Sequence, residues 1–433
     1  MQTPPAADPQ NKSIFNWLVV IAALGYFVDI YDLVLFNVVK RESLEYIQQL
    51  HGLNINIKDT GIFLFNCQMG GMLIGGILWG IWGDKRGRIS VLFGSIILYS
   101  VANIINAFTF DITTYAFVRV LAGIGLAGEL GAGITLVSET MHKEKRGYGT
   151  MIIVTFGALG AVLAGLVGTE GHQVAAWLTN VTGYAFQNWQ VVYLIGGTLG
   201  LLLLVLRVGA FESGMFEAMK HTEVKKGDFL SLFKTRENSL KYLNCILIGL
   251  PIWYIIGILV SLSQDVFAKE LGVTGVINGK AVMYAYIGLS VGDLISGLLS
   301  QVMRSRKKVV FIYLGLTTIL VFYFVFFAKD ISLSAYYFIC FMLGAASGYW
   351  AIFVTIASEQ FGTNIRSTVT NTVPNFVRGA VLPITYSFTF LSGITTNLTG
   401  ALIVGMVCIG LAWYATSRIK ETFAKDLNYM EKL

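Results

Sequence analysis

Gly80-Ile81-Trp82-Gly83-Asp84-Lys85-Arg86-Gly87-Arg88 is a short basic turn between two apolar stretches, each long enough to cross a bilayer. Its spacing, Gly-x-x-x-Asp-x-x-Gly-Arg, puts a carboxylate at the end of one apolar helix, a glycine where the chain turns sharply, and arginine at the start of the next. It reads as a charged hinge at a membrane surface. The rest of the chain agrees: 55% of its residues are hydrophobic and 13% charged, and the mean hydropathy is +0.67. Soluble domains carry about a quarter charged residues, so the composition is that of a polytopic membrane protein.

A membrane-spanning helix needs about 20 predominantly apolar residues. The sequence offers twelve such runs, near 17–39, 59–82, 89–109, 113–138, 148–169, 189–210, 241–263, 281–303, 308–328, 333–357, 368–392 and 396–416. Most of the 31 lysines and arginines then fall on one side of the membrane. That side holds Lys85, Arg86, Arg88, Lys143, Lys145, Arg146, the basic stretch between the sixth and seventh runs, Arg304, Arg306, Lys307, Lys308 and Arg366. The positive-inside rule places that side and both termini in the cytoplasm. It also explains the net charge of +6 without nucleic acid. Residues 1–12 are polar, with no apolar core followed by a cleavage site, so no signal peptide is expected.

The chain repeats itself. Ser138-Glu139, six residues and Arg146 are echoed by Ser358-Glu359, six residues and Arg366, and the same offset carries Arg86 and Arg88 onto Arg306 and Lys308. Asp84 falls on Arg304, so its charge is not kept. Two motifs sharing one offset predict an all-α protein of two pseudo-symmetric six-helix bundles related by an axis along the membrane normal. The bundles span 1–210 and 241–433, the latter with a short cytoplasmic tail, joined by a cytoplasmic loop at 211–240. Such an architecture puts a substrate path between the halves, with access alternating as one rocks against the other.

The Gly80–Arg88 turn, in this setting, resembles the signature loop between the second and third helices of the major facilitator superfamily of secondary transporters. Ile89 departs from that pattern, which usually has a second basic residue there. The resemblance implies a cytoplasmic gate made of Gly83, Asp84 and Arg88 with the paired elements Glu139, Arg146, Glu359 and Arg366. A purely structural role, anchoring loops at the headgroups, is compatible with it.

Charges inside apolar runs cost about 2.5 kcal/mol or more each at the helix centre, so each is a functional candidate. Asp29, Asp32, Arg119, Glu129 and Arg378 stand out. At 1.5 Å per residue, Asp32 and Arg119 lie at one depth, roughly 10 and 9 Å from the outer ends of their runs. Asp29 and Asp32, three apart, share a helix face, so one arginine could serve either. A buried Arg–Asp pair broken by protonation is a proton-coupling device; the bland reading is a static pair fixing helix register. Gly25-x3-Asp29-x-Tyr31-Asp32-x3-Phe36, followed by Arg119 and Gly128-Glu129, resembles the first and fourth helices of the superfamily's proton-coupled branches, which carry phosphate, sugars and carboxylates. That resemblance implies Asp29 or Asp32 as proton carrier, Arg119 as its partner and Glu129 as a second titrating or substrate-facing group. By depth, Glu129 also fits the gate beside Glu139.

Arg378 sits roughly 15 Å into the eleventh run, in Thr370-Asn371-Thr372-Val373-Pro374-Asn375-Phe376-Val377-Arg378, with no acidic residue in the run. Amide donors, a helix-breaking proline and a guanidinium suited to carboxylate or phosphate make Arg378, Asn375 and Asn371 the substrate-site candidates. The competing reading pairs Arg378 across the bundle interface with Asp29, Asp32 or Glu129, or with Asp293. Tyr31, Tyr254 and Tyr284 are candidate lining residues, with Tyr286, Tyr349, Trp350 and Tyr386 in the same aromatic-rich segments. Arg207, at the inner end of its run, is expected to snorkel to the headgroups. The glycines at 70, 71, 75, 76, 123, 125, 128, 131 and 133 predict close helix contacts.

No Gly-x4-Gly-Lys-[Ser/Thr] loop is present for ATP. The four histidines lie outside the runs or at their ends, and the four cysteines sit singly in apolar stretches, so no enzyme, cofactor or metal site is expected. The sequence therefore predicts a monomeric secondary transporter of a bacterial inner membrane, a proton symporter of a small organic anion, carboxylate or sugar acid. Its partners would be the substrate, protons and lipid. The alternatives are a proton-coupled or facilitative carrier of a neutral sugar or polyol, or a drug efflux antiporter.

Overall fold

The structure, a computed structural model, describes residues 17–86, 88–131, 146–212, 229–362 and 365–424. The N-terminal half consists of α1 (Trp17–His51), α2 (Ile57–Arg86), α3 (Arg88–Asn106), α4 (Ile112–Leu126), α5 (Arg146–Glu170), a short α6 (His172–Thr182) and α7 (Asn188–Glu212). The C-terminal half consists of α8 (Arg236–Tyr254), α9 (Asn278–Val302), α10 (Arg306–Phe327), α11 (Leu333–Ala346), α12 (Trp350–Glu359), α13 (Arg366–Gly379), α14 (Val381–Ile394) and α15 (Asn397–Arg418). A segment inside a bilayer must satisfy its own backbone, which is why the apolar runs are predominantly helical where they are described.

Helices occupy the described parts of all twelve expected runs, with differences. Nine helical stretches among the described residues are long and apolar enough to cross a membrane. The third run gives a shorter helix, the fourth gives α4 with its residues 132–138 outside the described residues, and the eleventh is divided at Ala380 into a polar half, α13, and an apolar half, α14. The tenth run is also broken, between α11 and α12, at Ser347-Gly348-Tyr349. In the seventh, Pro251 lacks an N–H and the chain continues as two π-helical segments, Ile255–Val260 and Ser263–Phe267. The helix α6 and the extension of α1 to His51 were not anticipated.

Within each half, glycine sets the helix spacing. A Cβ at Gly71 would strike the Val120 carbonyl of α4, and one at Gly123 would strike the Gln68 carbonyl of α2, so α2 and α4 meet backbone to backbone. Gly76 and Gly131 do the same job between the halves, leaving room for Asn375 and Asn371 of α13. The halves meet chiefly through α5 on α9 and α2 on α13. The four cysteines are free thiols, three of them buried.

Candidate functional site

The two halves are tied together at three depths. On the face opposite the Arg86–Arg88 turn, Arg41 Nη1 of α1 donates to Asp265 Oδ1 at 3.0 Å, and Lys40 Nζ lies 3.6 Å from Asp265 Oδ2 while donating to the Ser261 carbonyl at 2.5 Å. Asp265 belongs to the second π-helical segment. Beside it, Asn278 Nδ2 donates to the Asn37 carbonyl at 2.6 Å. Toward the basic face, Asn375 Nδ2 donates to the Ala127 carbonyl at 2.8 Å. The Asn371 amide, turned so that both ends are satisfied, donates to the Ala127 carbonyl at 3.2 Å and accepts from Gly80 N at 3.2 Å. Asn371 and Asn375, expected as substrate ligands, thus hold α13 to α2 and α4 in this conformation.

Between these ties lies Arg378. Its Nη2 is 3.8 Å from Asp29 Oδ2, its Nη1 donates to Asn375 Oδ1 at 3.5 Å, and its guanidinium lies over the rings of Trp350 at 5.6 Å and Trp253 at 6.0 Å. Arg378 is 1% exposed and Asp29 0%. Neither Asp29 oxygen accepts a hydrogen bond among the described residues, and Arg378 Nε and Nη2 donate none. The ion pair is therefore long and unlocked. It borders a narrow cavity of about 20 Å³ lined by Tyr26, Ile30, Ile252, Trp253, Tyr286 and Trp350, among others. Of the two readings of Arg378, substrate ligand and cross-interface partner of Asp29, the second is realised here. Arg378 also lines the cavity, which in this conformation is too small for an organic substrate.

Arg119 and Asp32 do not form the expected pair: no ion pair within 4.0 Å joins them. Arg119 Nη2 instead donates to Gln68 Oε1, and the guanidinium lies 5.1 Å over Phe36 and 5.8 Å over Tyr193. Gln68 Nε2 donates to the Leu33 carbonyl at 3.3 Å, so this neutral amide bridges α1 and α4 where a carboxylate was expected. Glu129 is held bidentate by Arg207, at 2.9 and 2.8 Å, and accepts from Ser95 Oγ at 3.1 Å. Arg207 is 3% exposed. Its expected reach to the headgroups is overturned by the need of a buried carboxylate for a counter-charge.

The aromatic expectations divide. Tyr31 Oη donates to the Val192 carbonyl at 2.9 Å and Tyr254 Oη to the Ala401 carbonyl at 2.7 Å, both in packed helix contacts. Tyr284 is 37% exposed and stacks on Tyr337 at 5.3 Å, and Tyr386 is exposed. Tyr286 and Trp350 line the cavity. Trp253 and Tyr26 were missed; Tyr26 precedes Asp29 by three residues on the same helical face, the one signal available.

At the basic face, Glu359 accepts from Arg306 Nε and Nη2 at 2.6 and 2.8 Å. Arg366 Nε donates to the Ser358 carbonyl at 3.1 Å, and Arg366 Nη2 to that of Phe361 at 3.1 Å. Gly83 ends in α2 and Arg88 begins α3. Glu139 and the side chains of Asp84, Arg88 and Arg146 lie outside the described residues.

Two helical halves enclosing a charged, membrane-buried cavity, with ties on either side of it, are the build of a membrane transporter. The chain belongs to the Major Facilitator Superfamily, whose model matches residues 22–378. Among curated relatives, the 3-(3-hydroxy-phenyl)propionate transporter of Escherichia coli is 28% identical over 37% of this chain and 37% of its own length. The sialic acid transporter NanX of the same species is 24% identical over 72% and 70%. The match to the first relative thus spans little more than a third of either protein. In three dimensions the chain is similar to the proton:xylose symporter XylE, with a TM-score of 0.69 over 95% of this chain and 97% of that one, at 16% identity. That likeness bears on the fold alone.

Proposed function

We propose that the protein is a proton symporter for a small organic anion, working by alternating access between the halves 1–210 and 241–433. The observation that carries this reading is the Asp29–Arg378 pair, a loose contact between the halves on the wall of the central cavity. A guanidinium with two unengaged nitrogens can take a substrate carboxylate. Once it does, Asp29 is either a charged carboxylate abandoned in low dielectric or a neutral acid, and the neutral acid is far cheaper. Anion and proton therefore enter together, and leave together on the other side.

The lining favours a carboxylate with a flat apolar body. Trp253, Trp350, Tyr26 and Tyr286 offer ring faces and Ile30, Ile252 and Ile256 offer methyl groups, whereas a hydroxyl-rich sugar needs many convergent polar groups. The name of the first relative, an arylpropionate carrier, points the same way. In this reading the basic face and both termini are cytoplasmic, the membrane is the cell's inner membrane, and Asp32, Arg119 and Glu129 support the coupling carboxylate. Asp84, Glu139 and Glu359 with their arginines form the inner gate.

The test is uptake into proteoliposomes of a panel of 3-(3-hydroxyphenyl)propionate, benzoate, sialic acid and xylose, with and without an acid-outside gradient. Wild type should concentrate an aryl carboxylate only under the gradient, Asp29→Asn should abolish the response to it, and Arg378→Ala should abolish carboxylate flux. Gradient-independent uptake by wild type and both variants, or xylose flux unaffected by Arg378→Ala, contradicts the proposal.

A further inference from the structure

Inside the N-terminal half, apart from the cavity at Arg378, three hydroxyls are hydrogen bonded in series. Ser43 Oγ lies 3.2 Å from Tyr115 Oη, and Tyr115 Oη lies 2.7 Å from Tyr193 Oη. The three residues come from α1, α4 and α7, and all are fully buried. Ser43 lies roughly 16 Å beyond Asp32 along α1, toward the face opposite the basic loops. Tyr193 lies one turn from Gly196 on α7, and Gly196 is where Asp32 Oδ1 rests, since a Cβ at that position would collide with it. The series thus lies between the opposite face and Asp32, with Ser43 Oγ also 3.1 Å from the Lys40 carbonyl.

A second observation concerns buried polar groups in the same region. Asn103 and Asn106 of α3 are 1% and 0% exposed, yet neither the amide nitrogen nor the oxygen of either has a partner among the described residues. Tyr99 Oη, Ser100 Oγ, Arg119 Nε and Nη1, and both oxygens of Asp32 are in the same position. These groups belong to one region. Ala102 of α3 packs against Val118 and Ala122 of α4, which brackets Asn103 and Arg119 within a turn or so, and Ser100 Oγ abuts Gly200, one turn from Gly196. Each orphaned buried polar group costs about 1–3 kcal/mol, so a concentration of them in one bundle is stable only with internal water as their partner. By contrast both Glu129 oxygens, deeper in the same half, are held by Arg207 and Ser95, with only Arg207 Nε left over.

We propose that Ser43, Tyr115 and Tyr193, with water held by Asn103 and Asn106, conduct protons from the opposite face to Asp32 by a route separate from the substrate's. The inference rests on the symport reading. Each hydroxyl accepts a proton on a lone pair as it passes its own forward, so none is left ionised. Asp32 receives the proton and hands it to Asp29, one turn away on the same face of α1. The groups facing Asp32 suit such a transfer. Asp29 on its own helix is the acceptor, Arg119 from α4 and neutral Gln68 from α2 engage each other, Tyr31 adjoins Asp32 at Gly196, and Tyr99 from α3 supplies a hydroxyl. Keeping the proton off the substrate path lets Asp32 be recharged while the cavity is occupied.

The experiment compares two assays of radiolabelled 3-(3-hydroxyphenyl)propionate in proteoliposomes, uptake driven by an acid-outside gradient and equilibrium exchange at equal pH. Exchange returns the loaded carrier without releasing its proton, so it does not draw on the conduit. Tyr115→Phe and Tyr193→Phe, which remove only an oxygen, should each lower driven uptake tenfold or more and leave exchange within about twofold of wild type. The double variant should be no slower than the slower single one. Driven uptake within twofold of wild type in both variants, with Asp32→Asn inactive, overturns the conduit and leaves symport standing. Equal loss of exchange and driven uptake overturns it too, since the hydroxyls would then only hold the helices. Wild-type uptake indifferent to the gradient overturns both readings.

Discussion

Two buried ion pairs of the same chemical kind are built in opposite ways. Glu129 and Arg207 lie within the N-terminal half, joined by two hydrogen bonds at 2.9 and 2.8 Å with Ser95 as a third partner. Asp29 and Arg378 lie in different halves, 3.8 Å apart, with no hydrogen bond between them. In the proposed cycle the first pair stays closed and the second parts, and the hydrogen bonding differs accordingly: two bonds join the first pair and none the second.

The contrast can be broken most forcefully at the locked pair. Glu129→Ala leaves Arg207 charged and unpaired in the bundle and should cost about 3–5 kcal/mol, seen as a large fall in the melting temperature of the detergent-solubilised protein. Asp29→Asn, by comparison, should leave the melting temperature close to wild type while abolishing the response to a pH gradient. If the two variants melt alike, the division between locked and exchangeable pairs is wrong. Next in size is Gly25→Ala. The new methyl would meet Arg207 Nη2 and lie 3.2 Å from Glu129 Oε2, and overpacking of this kind costs about 1–3 kcal/mol. The same assay reads it.

At the exchangeable pair, Trp350→Leu removes one ring face from Arg378. A desolvated cation–π contact is worth about 2 kcal/mol and an exposed one about 0.5–1. An aryl carboxylate stacked in the cavity should lose affinity by roughly three- to thirtyfold, with Tm little changed. The smallest effect is expected at the chain's far end. Burial raises the proton affinity of the Glu421 carboxyl, but hydrogen bonds from Ser305 Oγ and the backbone N–H groups of Phe423, Arg306 and Thr422 outweigh it and hold the group below the usual carboxylate range. A carboxylate so held contributes stability above its unfolded pKa, and loses it as pH falls through the folded value. Hydrogen exchange at residues 417–424 should therefore be slow at neutral pH and rise on acidification, and Glu421→Gln should remove that dependence.

Much of this was legible in the sequence because it follows from the cost of charge in hydrocarbon and from repetition. Asp29, Asp32, Arg119, Glu129 and Arg378 announce themselves by being out of place, and the echo of Ser138-Glu139…Arg146 in Ser358-Glu359…Arg366 gives the two halves. Partnership was not legible, because it depends on which helices touch and at what height. Arg207 was read as a headgroup anchor because its run ends there, but α7 carries it inward to Glu129. Gln68 carries no charge and so gave no signal, yet it takes the place at Arg119 expected of Asp32. Asp265 was overlooked because a regular helix would have ended its run; the π-helical turns after Pro251 bring it to Lys40 and Arg41. Tyr284 and Tyr286 show how fine the distinction is: two residues apart, one stacks on Tyr337 near the surface and the other lines the cavity.

The central claim is that an anion and a proton exchange places at Asp29 and Arg378. It is tested most directly by counting protons taken up when the aryl carboxylate selected by the transport panel is added to purified carrier in weakly buffered solution near neutral pH. The account predicts net proton uptake on binding for wild type and none for Asp29→Asn, with binding retained in that variant. Proton uptake that is absent in wild type, or unchanged in Asp29→Asn, contradicts it.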